Sequence, residues 1–183
     1  MPVNAANENL GITAPDFNLL DISGNYYNLD DLRGKNGTVI AFICNHCPYV
    51  KAIAKRLVFE AEELKKLSIN TVAIMSNDYL KYPEDSFLNM KNFSIKFNFN
   101  FPYLIDDTQQ TAKNYGAICT PDIYGFNKSL KLMYRGRLDS LKMNDLEKKP
   151  LKRDLYDAML YIIKNNDIPK NQINSIGCSI KWK

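Results

Sequence analysis

A short apolar segment that ends in two closely spaced cysteines constrains this chain more than any other feature. Residues 38–50 read TVIAFICNHCPYV, in which Val39 to Ile43 predict a buried β-strand and Cys44 and Cys47 follow at CxxC spacing. Two thiols at this spacing lie close enough to join in a small ring. The pattern therefore predicts a pair that can cycle between dithiol and disulfide, placed where a strand turns into a helix.

The expected helix start predicts a reactive thiol. The first turn of a helix carries unpaired backbone N–H groups and the positive end of the helix dipole, which favour a thiolate and lower a cysteine pKa from about 8.5 by about one to several units. His46, the only histidine, could donate to the thiolate or carry a nearby positive charge. We expect Cys44 to be partly ionised at neutral pH and Cys47, facing inward, to close the disulfide. Pro48 would mark the active-site end of the helix.

The same residues allow a different interpretation, in which Cys44, His46 and Cys47 bind a metal ion. A CxxC pair with a histidine can form half of a zinc site. A complete zinc site usually needs a second CxxC or a histidine pair, and the only other cysteines here are Cys119 and Cys178. The sequence favours redox chemistry without a metal or other cofactor.

Length and charge limit the class of protein. A chain of 183 residues fits one domain, from residue 1 to 183, and a domain of this size buries about 70% of its unfolded surface without needing disulfides. The net charge of +4 is modest and the lysines are scattered, so nucleic-acid binding has no support. No export signal and no run of 18 apolar residues is evident, which predicts a cytoplasmic protein that neither spans nor binds a membrane.

Periodicity and turn residues predict an α/β chain with a central mixed sheet flanked by helices. The predicted elements are an N-terminal hairpin (Phe17 to Leu20 and Tyr26 to Leu29), the strand Val39 to Ile43, a helix to about Leu67, a strand Thr71 to Met75, a helix from Pro83 to about Phe97, a strand Tyr103 to Ile105, a helix Gln109 to Tyr115, a second hairpin (Ile123 to Phe126 and Leu130 to Tyr134) and a helix from Leu151 to about Asn165. From about residue 167 we expect a C-terminal tail, which contains Cys178 and Trp182.

Motifs along nearly the whole chain resemble one subgroup of proteins. They are FICNHCPYV at 42–50, SND at 76–78, YPEDS at 82–86, YGAICTPD at 115–122 and GCSIKWK at 177–183. Together with the order of elements, they are similar to the peroxiredoxin-like 1 subgroup of the peroxiredoxin and alkyl hydroperoxide reductase superfamily. The resemblance implies a thioredoxin fold with an N-terminal β-hairpin extension.

The resemblance also implies roles for residues distant from the CxxC pair. Pro121 matches the cis-proline that faces the CxxC in thioredoxin folds, and the backbone of Thr120 would pair with an extended substrate. Cys119 would lie near the active-site disulfide, although a small buried hydrophobe is an equally good interpretation. Cys178 could resolve an intermediate, or it could pack under a docked tail.

Departures from the family patterns leave the reaction open. If Cys47 matches the peroxidatic cysteine of peroxiredoxins, the proline and threonine of that motif are replaced by Ile40 and Cys44, and no arginine is evident for the site. Thioredoxin's buried aspartate corresponds to Thr38. His46 stands where protein disulfide isomerase has a histidine, which suggests a potential nearer about −180 mV than thioredoxin's about −270 mV.

Three hypotheses follow. The first is a thiol-disulfide oxidoreductase in which Cys44 attacks a protein disulfide, Cys47 resolves the mixed disulfide and Pro121 orients the substrate. The second is a thiol peroxidase in which Cys47 or Cys44 reacts with a hydroperoxide, with a thioredoxin-type protein as electron donor. The third is the Cys/His metal protein. Either redox scheme requires two adjacent sulfurs near Pro121 that solvent can reach, and fits a monomer or a homodimer.

Overall fold

The computed structural model describes residues 2–5, 9–145 and 148–183. Its main sheet has seven strands in the order β3-β2-β6-β5-β4-β8-β9. These strands are β2 (Asn18–Asp21), β3 (Tyr26–Asn28), β4 (Gly37–Phe42), β5 (Ile69–Met75), β6 (Tyr103–Ile105), β8 (Asp122–Asn127) and β9 (Leu132–Gly136). A smaller sheet contains β1 (Pro2–Asn4), β10 (Ile176–Ser179) and β7 (Cys119–Thr120), in that order.

Helices cover both faces of the main sheet. They are α1 (Leu29–Leu32), α2 (Pro48–Lys66), α3 (Phe87–Phe97), α4 (Gln110–Tyr115) and α5 (Asp154–Asn165), and a 3-10 turn spans Pro83–Asp85. One buried cluster packs α2, α3 and α5 on one face of the sheet, and a second packs α1 and α4 on the other. No helix in the described ranges combines the length and apolarity needed to cross a bilayer.

The central strand β4 carries the CxxC motif into the core. Every residue of β4 is buried, and the strand pairs in parallel with β5 and antiparallel with β8. The β4-α2-β5 unit is the predicted parallel crossover, and the predicted N-terminal hairpin is present as β2 and β3. The carboxyl end of β4 therefore lies in the middle of the sheet, beside the loop that enters β8.

The segment expected to be a plain C-terminal tail contains a strand that the sequence prediction missed. β10 pairs antiparallel with β7 on one side and with β1 on the other. After it, the chain is hydrogen-bonded to the end of β5, because Asp78 donates its backbone N–H to the Lys181 carbonyl (2.7 Å) and the Lys181 N–H donates to Asn77 Oδ1 (2.9 Å). The C-terminus is thus held against the carboxyl ends of the central strands.

Candidate active site

The two motif cysteines flank the start of α2 in different ways. The helix begins at Pro48, whose fixed φ and missing N–H suit the first helical position. Cys47 is therefore the N-cap residue, while Cys44 lies in the loop before it. The helix ends at Lys66, close to the predicted Leu67, with Lys65 and Lys66 near the negative end of its dipole.

Both sulfurs lie against the loop that contains the cis-proline. The Thr120–Pro121 peptide bond is cis, as the resemblance implied. Cys44 Sγ lies 3.2 Å from Thr120 Oγ1, and Cys47 Sγ lies 3.2 Å from the Thr120 carbonyl oxygen. Each of the two cysteine side chains is the largest single influence on the pKa of the other. The structure thus brings together the two cysteines, Thr120 and Pro121, and the resemblance implied that Pro121 would face the CxxC pair.

The surroundings lower the pKa of Cys47 and raise that of Cys44, so they favour Cys47 as the thiolate rather than the expected Cys44. The hydrogen bond from Cys44 lowers the pKa of Cys47 most; contacts with the Cys178 thiol and with backbone N–H groups of Val50 and Cys178 also lower it, to about 5. As a thiolate, Cys47 accepts from these donors, and it gives up the hydrogen bond that its thiol form donates to the Thr120 carbonyl oxygen. The same Cys44–Cys47 hydrogen bond, followed by burial and the charge of Asp85, raises the pKa of Cys44.

A buried carboxylate that the sequence prediction missed positions the CxxC loop. Asp85 accepts hydrogen bonds from the backbone N–H groups of Asn45 (2.7 Å) and His46 (3.3 Å) and from Asn77 Nδ2 (2.7 Å), and its Oδ2 lies 2.7 Å from His46 Nδ1. Burial alone would raise the pKa of Asp85, but the bonds to His46 and Asn77 lower it overall. The same bond raises the pKa of His46. A protonated His46 thus offsets the charge of Asp85 beside the cysteines.

Further contacts hold this loop rigid. The Tyr103 hydroxyl donates to Asn45 Oδ1 (3.0 Å), and Asn45 Nδ2 donates to the Glu84 carbonyl (3.0 Å). The His46 ring stacks on Tyr82 with its centroid 5.7 Å away. The only sequence signal for Asp85 was its place in the YPEDS motif, where it had been interpreted as an acidic residue at a helix start.

The requirement that solvent can reach the sulfurs is not met in this conformation. Cys44 and Cys47 are both 0% exposed. Strand β10 packs against Cys47, because its Cys178 Sγ lies 3.0 Å from Cys47 Sγ, and Cys178 itself is partly exposed. Burial raises the pKa of Cys178 to about 11, so Cys178 is a thiol beside a thiolate.

Cys119 behaves as a small buried residue. It is 0% exposed, and its Sγ lies 3.8 Å from the Pro121 carbonyl oxygen. Burial raises its pKa to about 12, which keeps the thiol protonated and unreactive. Of the two interpretations of Cys119, the structure favours the small hydrophobe.

A possible metal-binding group overlaps the redox site but differs from the predicted one. Ligand atoms of Cys44, His46 and Asp85 all lie within 4.8 Å of one another, with Asp85 in the place the sequence hypothesis gave to Cys47. The Nδ1 atom of His46 is already hydrogen-bonded to Asp85, and Cys44 retains its proton. Three candidate ligands are one fewer than the four of a closed structural zinc site.

A groove borders the site on its outer side. It has a volume of about 500 Å³ and lies between Tyr49 and Ile53 of α2, Pro121, Leu138 and Ile176 of β10. Its walls are largely apolar, with Arg56 and the buried Asp139 paired at 2.6 Å among the polar lining residues. A peptide segment lying in this groove would pass beside the cis-proline.

Comparisons with known proteins agree with the fold and the motif. A model of the AhpC/TSA family matches residues 10–136. The thiol-disulfide oxidoreductase ResA of Geobacillus thermodenitrificans is 28% identical over 130 residues, which make up 67% of this chain and 66% of that protein. The chain therefore spans just under two thirds of the length of this relative.

Two solved structures have similar folds. An uncharacterized conserved protein from Geobacillus kaustophilus is 42% identical, with a TM-score of 0.93 over 100% of this chain and 97% of that one. The thioredoxin domain of a thiol-disulfide oxidoreductase from Bacteroides vulgatus is 16% identical, with a TM-score of 0.63 over 84% of this chain and 97% of that one. The predicted thioredoxin fold and the resemblance to the peroxiredoxin superfamily are confirmed.

Proposed function

The chain belongs to the AhpC/TSA family, and we propose that it is a thiol-disulfide oxidoreductase that cycles Cys44 and Cys47 between two thiols and one disulfide. The observation that carries this proposal is the contact of both sulfurs with Thr120, directly before the cis-proline, with Cys47 at the N-terminus of α2. The name of the ResA relative supports the same reaction class.

We assign the two cysteines the reverse of the roles in the sequence hypothesis, because the pKa of Cys47 is lowered and that of Cys44 is raised. Cys47 is the thiolate and attacks one sulfur of a substrate disulfide, which forms a mixed disulfide and releases the other sulfur as a thiolate. Cys44 then loses its proton and attacks the Cys47 sulfur, which releases the reduced substrate and leaves a Cys44–Cys47 disulfide. Asp85 and His46 hold the loop in which Cys44 approaches Cys47.

Insulin reduction with dithiothreitol tests this order. The wild-type protein is expected to accelerate reduction, Cys47→Ser to abolish the acceleration, and the double variant Cys44→Ser/Cys178→Ser, which removes both neighbouring thiols, to accumulate a mixed disulfide on Cys47. Cys119→Ser is the matched control, because this thiol is buried and protonated and should leave the rate unchanged. Wild-type activity in Cys47→Ser would contradict the proposal.

A thiol peroxidase is the second candidate, favoured by the low pKa of Cys47 and by the family. Against it, the positions of the peroxiredoxin proline and threonine hold Ile40 and Cys44. Arg135 donates through Nη2 to Asp122 and to the Gly116 carbonyl at 2.8 and 2.7 Å, and among the described residues it makes no hydrogen bond to Cys44 or Cys47. Hydroperoxide consumption at rates no better than free cysteine would exclude this candidate.

The proposed partners are protein disulfides, with a thioredoxin-type protein as a possible electron donor. The groove beside Pro121 supports an extended peptide as substrate. The cytoplasmic location, the monomeric or dimeric state, and the lack of nucleic-acid and membrane partners stay predictions from the sequence.

A further inference from the structure

Cys178 is held in direct contact with the reactive thiolate. Strand β10 pairs antiparallel with β7, and Cys178 lies opposite Thr120, the residue whose carbonyl contacts Cys47. The two sulfurs of Cys47 and Cys178 are 3.0 Å apart, about 1 Å longer than a disulfide bond of about 2.05 Å. A short movement of either side chain would bring them to bonding distance.

The approach of β10 to the cis-proline loop depends on a glycine. A Cβ atom on Gly177 would lie 2.1 Å from the Thr120 carbonyl oxygen and 2.9 Å from Pro121 N, both of which are backbone atoms. Only a residue without a side chain allows this approach. Because Gly177 directly precedes Cys178, the same close contact brings the Cys178 sulfur to Cys47.

The end of the chain is held by hydrogen bonds on several elements. The Ile180 N–H donates to the Ile118 carbonyl (2.9 Å), and Gln109 Nε2 donates to the Lys181 carbonyl (2.8 Å). Lys183 also pairs with Asp107 at 2.8 Å. These contacts keep Cys178 beside Cys47 rather than on a free tail.

We propose that Cys178 is a third catalytic cysteine, which exchanges with Cys44 as the disulfide partner of Cys47. The proposal rests on the proposed oxidoreductase function. In the oxidised protein, the Cys178 sulfur attacks the Cys47 sulfur of the Cys44–Cys47 disulfide. The Cys47–Cys178 bond forms, the Cys44–Cys47 bond breaks, and the proton of Cys178 passes to Cys44, with no net oxidation.

This exchange provides a route for electron transfer between the buried cysteine pair and a partner protein at the surface. Cys44 and Cys47 are 0% exposed, whereas Cys178 is partly exposed on the covering strand. After exchange, two external thiols reduce the Cys47–Cys178 disulfide. The first attacks the Cys178 sulfur and forms a mixed disulfide. The second resolves that mixed disulfide, and both protein cysteines return to thiols. Cys178 thus carries electrons between the surface and the interior pair.

Disulfide mapping of the full-length protein tests the exchange. Trypsin places Cys44 and Cys47 together in peptide 36–51 and Cys178 in peptide 171–181. Wild-type protein oxidised with glutathione disulfide is expected to give two products. A 36–51 peptide that lacks two hydrogens reports the Cys44–Cys47 disulfide, and a joined 36–51/171–181 pair reports the Cys47–Cys178 disulfide. In Cys44→Ser, where the competing partner is removed, the joined pair should become the dominant oxidised product.

Two variants in the Cys44→Ser background separate the proposal from simple proximity of any thiol. Adding Cys119→Ser should leave the yield of the joined pair unchanged, whereas adding Gly177→Ala should lower it severalfold by displacing β10. Two results together would overturn the proposal. The first is that the wild-type protein gives no disulfide-joined 36–51/171–181 pair. The second is that Cys47 in Cys44→Ser stays bound to glutathione while Cys178 remains a thiol.

Insulin reduction distinguishes this failure from failure of the proposed function. Wild-type protein that reduces insulin but never forms the joined pair would overturn only the role of Cys178. Wild-type protein that forms the joined pair but does not reduce insulin would leave the exchange supported and contradict the proposed function.

Discussion

At the scale of single residues, the two cysteines of one motif differ because their surroundings differ. Cys47 caps a helix and accepts from several donors, whereas Cys44 lies near the buried carboxylate of Asp85 and donates to Cys47. A carboxylate disfavours a second negative charge, while a helix N-terminus favours one. The protein therefore concentrates negative charge on one sulfur and keeps a proton on the other.

Removing the Cys44 thiol should raise the pKa of Cys47. Cys44→Ala deletes the side-chain donor that lowers this pKa most. Thiolate absorbance near 240 nm, followed against pH, should show a midpoint near pH 5 in the wild-type protein and a clearly higher one in Cys44→Ala. The absorbance step should vanish in Cys47→Ser, and a step that persists there would contradict the assignment of the thiolate.

Replacing Asp85 by asparagine should lower the pKa of His46. Asp85→Asn keeps the shape of the side chain but removes the charge that raises the histidine pKa. Because His46 is the only histidine, its ring signals can be followed by NMR without ambiguity. A His46 pKa unchanged in Asp85→Asn would show that the carboxylate does not control the imidazole.

The same pair predicts how stability depends on pH. The raised pKa of His46 contributes stability that is complete below the unfolded value of about 6.5 and is lost as pH rises through the folded pKa. The lowered pKa of Asp85 contributes stability that is present above about 3.9 and is lost as pH falls through its folded pKa. The difference in free energy of unfolding between the wild-type protein and Asp85→Asn should therefore be largest between about pH 3.9 and about pH 6.5. A difference independent of pH would contradict the ion pair.

Some of these residue-scale features were present in the sequence and others were not. Pro48 directly after Cys47 already indicated that the helix begins there, since proline favours the first helical position. Placing the helix start nearer Cys44 led to the choice of Cys44, rather than Cys47, as the thiolate. Asp85 could not be predicted, because its burial depends on how the 3-10 turn packs against a loop 40 residues earlier.

At the scale of elements, strand β10 limits which molecules can reach the active-site cysteines. It lies between β1 and β7, and its Cys178 contacts the buried sulfur of Cys47 at 3.0 Å. β10 has few buried apolar side chains, since its burial pattern is exposed, buried and then intermediate. A strand held mainly by backbone pairing is suited to local opening without unfolding of the core.

Displacing β10 should expose the active-site thiolate. Gly177→Ala introduces a Cβ that cannot fit against the Thr120 carbonyl, so the strand must shift outward. Alkylation of Cys47 by iodoacetamide at pH 7 should then be at least several times faster than in wild type. Ser179→Ala, on the same strand, is the matched control and should leave the rate near that of wild type. Equal rates in all three proteins would show that β10 does not limit access.

The elements around the motif were predictable because their signals are local. An apolar β-branched run, an amphipathic helix and a second apolar run predict β4, α2 and β5 from spacing alone. β1 and β10 were missed because each is only three or four residues long and pairs with a partner distant in sequence. The segment Ile176–Ser179 contains a glycine and lacks the alternation that marks a half-buried strand.

At the scale of the whole molecule, strands near both ends of the chain lie beside the cis-proline loop and the buried cysteine pair. β1, β10 and β7 form a small sheet beside the main one, and the contacts of Lys181 tie it to the end of β5. The family fold supplies the cysteines and the cis-proline, while the terminal strands supply the cover. The molecule thus combines a reactive thiolate with protection from solvent.

The redox couple should be more oxidising than that of thioredoxin. A thiolate with a pKa near 5 stabilises the reduced protein, as does the charged His46 close to the site. We expect a potential nearer about −180 mV than about −270 mV, measured by equilibration with glutathione buffers. A value at or below that of thioredoxin would mean that the thiolate is not stabilised in this way.

The most direct test of the central claim is cysteine labelling of the Cys178→Ser variant across a series of glutathione redox buffers. This variant removes the Cys178 sulfur from Cys47 and leaves Cys44 as its CxxC partner. The labelling reagent is added under denaturing conditions, so that every free thiol reacts. We expect Cys44 and Cys47 to lose their label together in one reversible two-electron transition, in which the ratio of oxidised to reduced protein changes tenfold per about 30 mV. Cys119 should stay labelled throughout. Labels on Cys44 and Cys47 that persist at every potential, or that disappear independently of each other, would contradict the central claim.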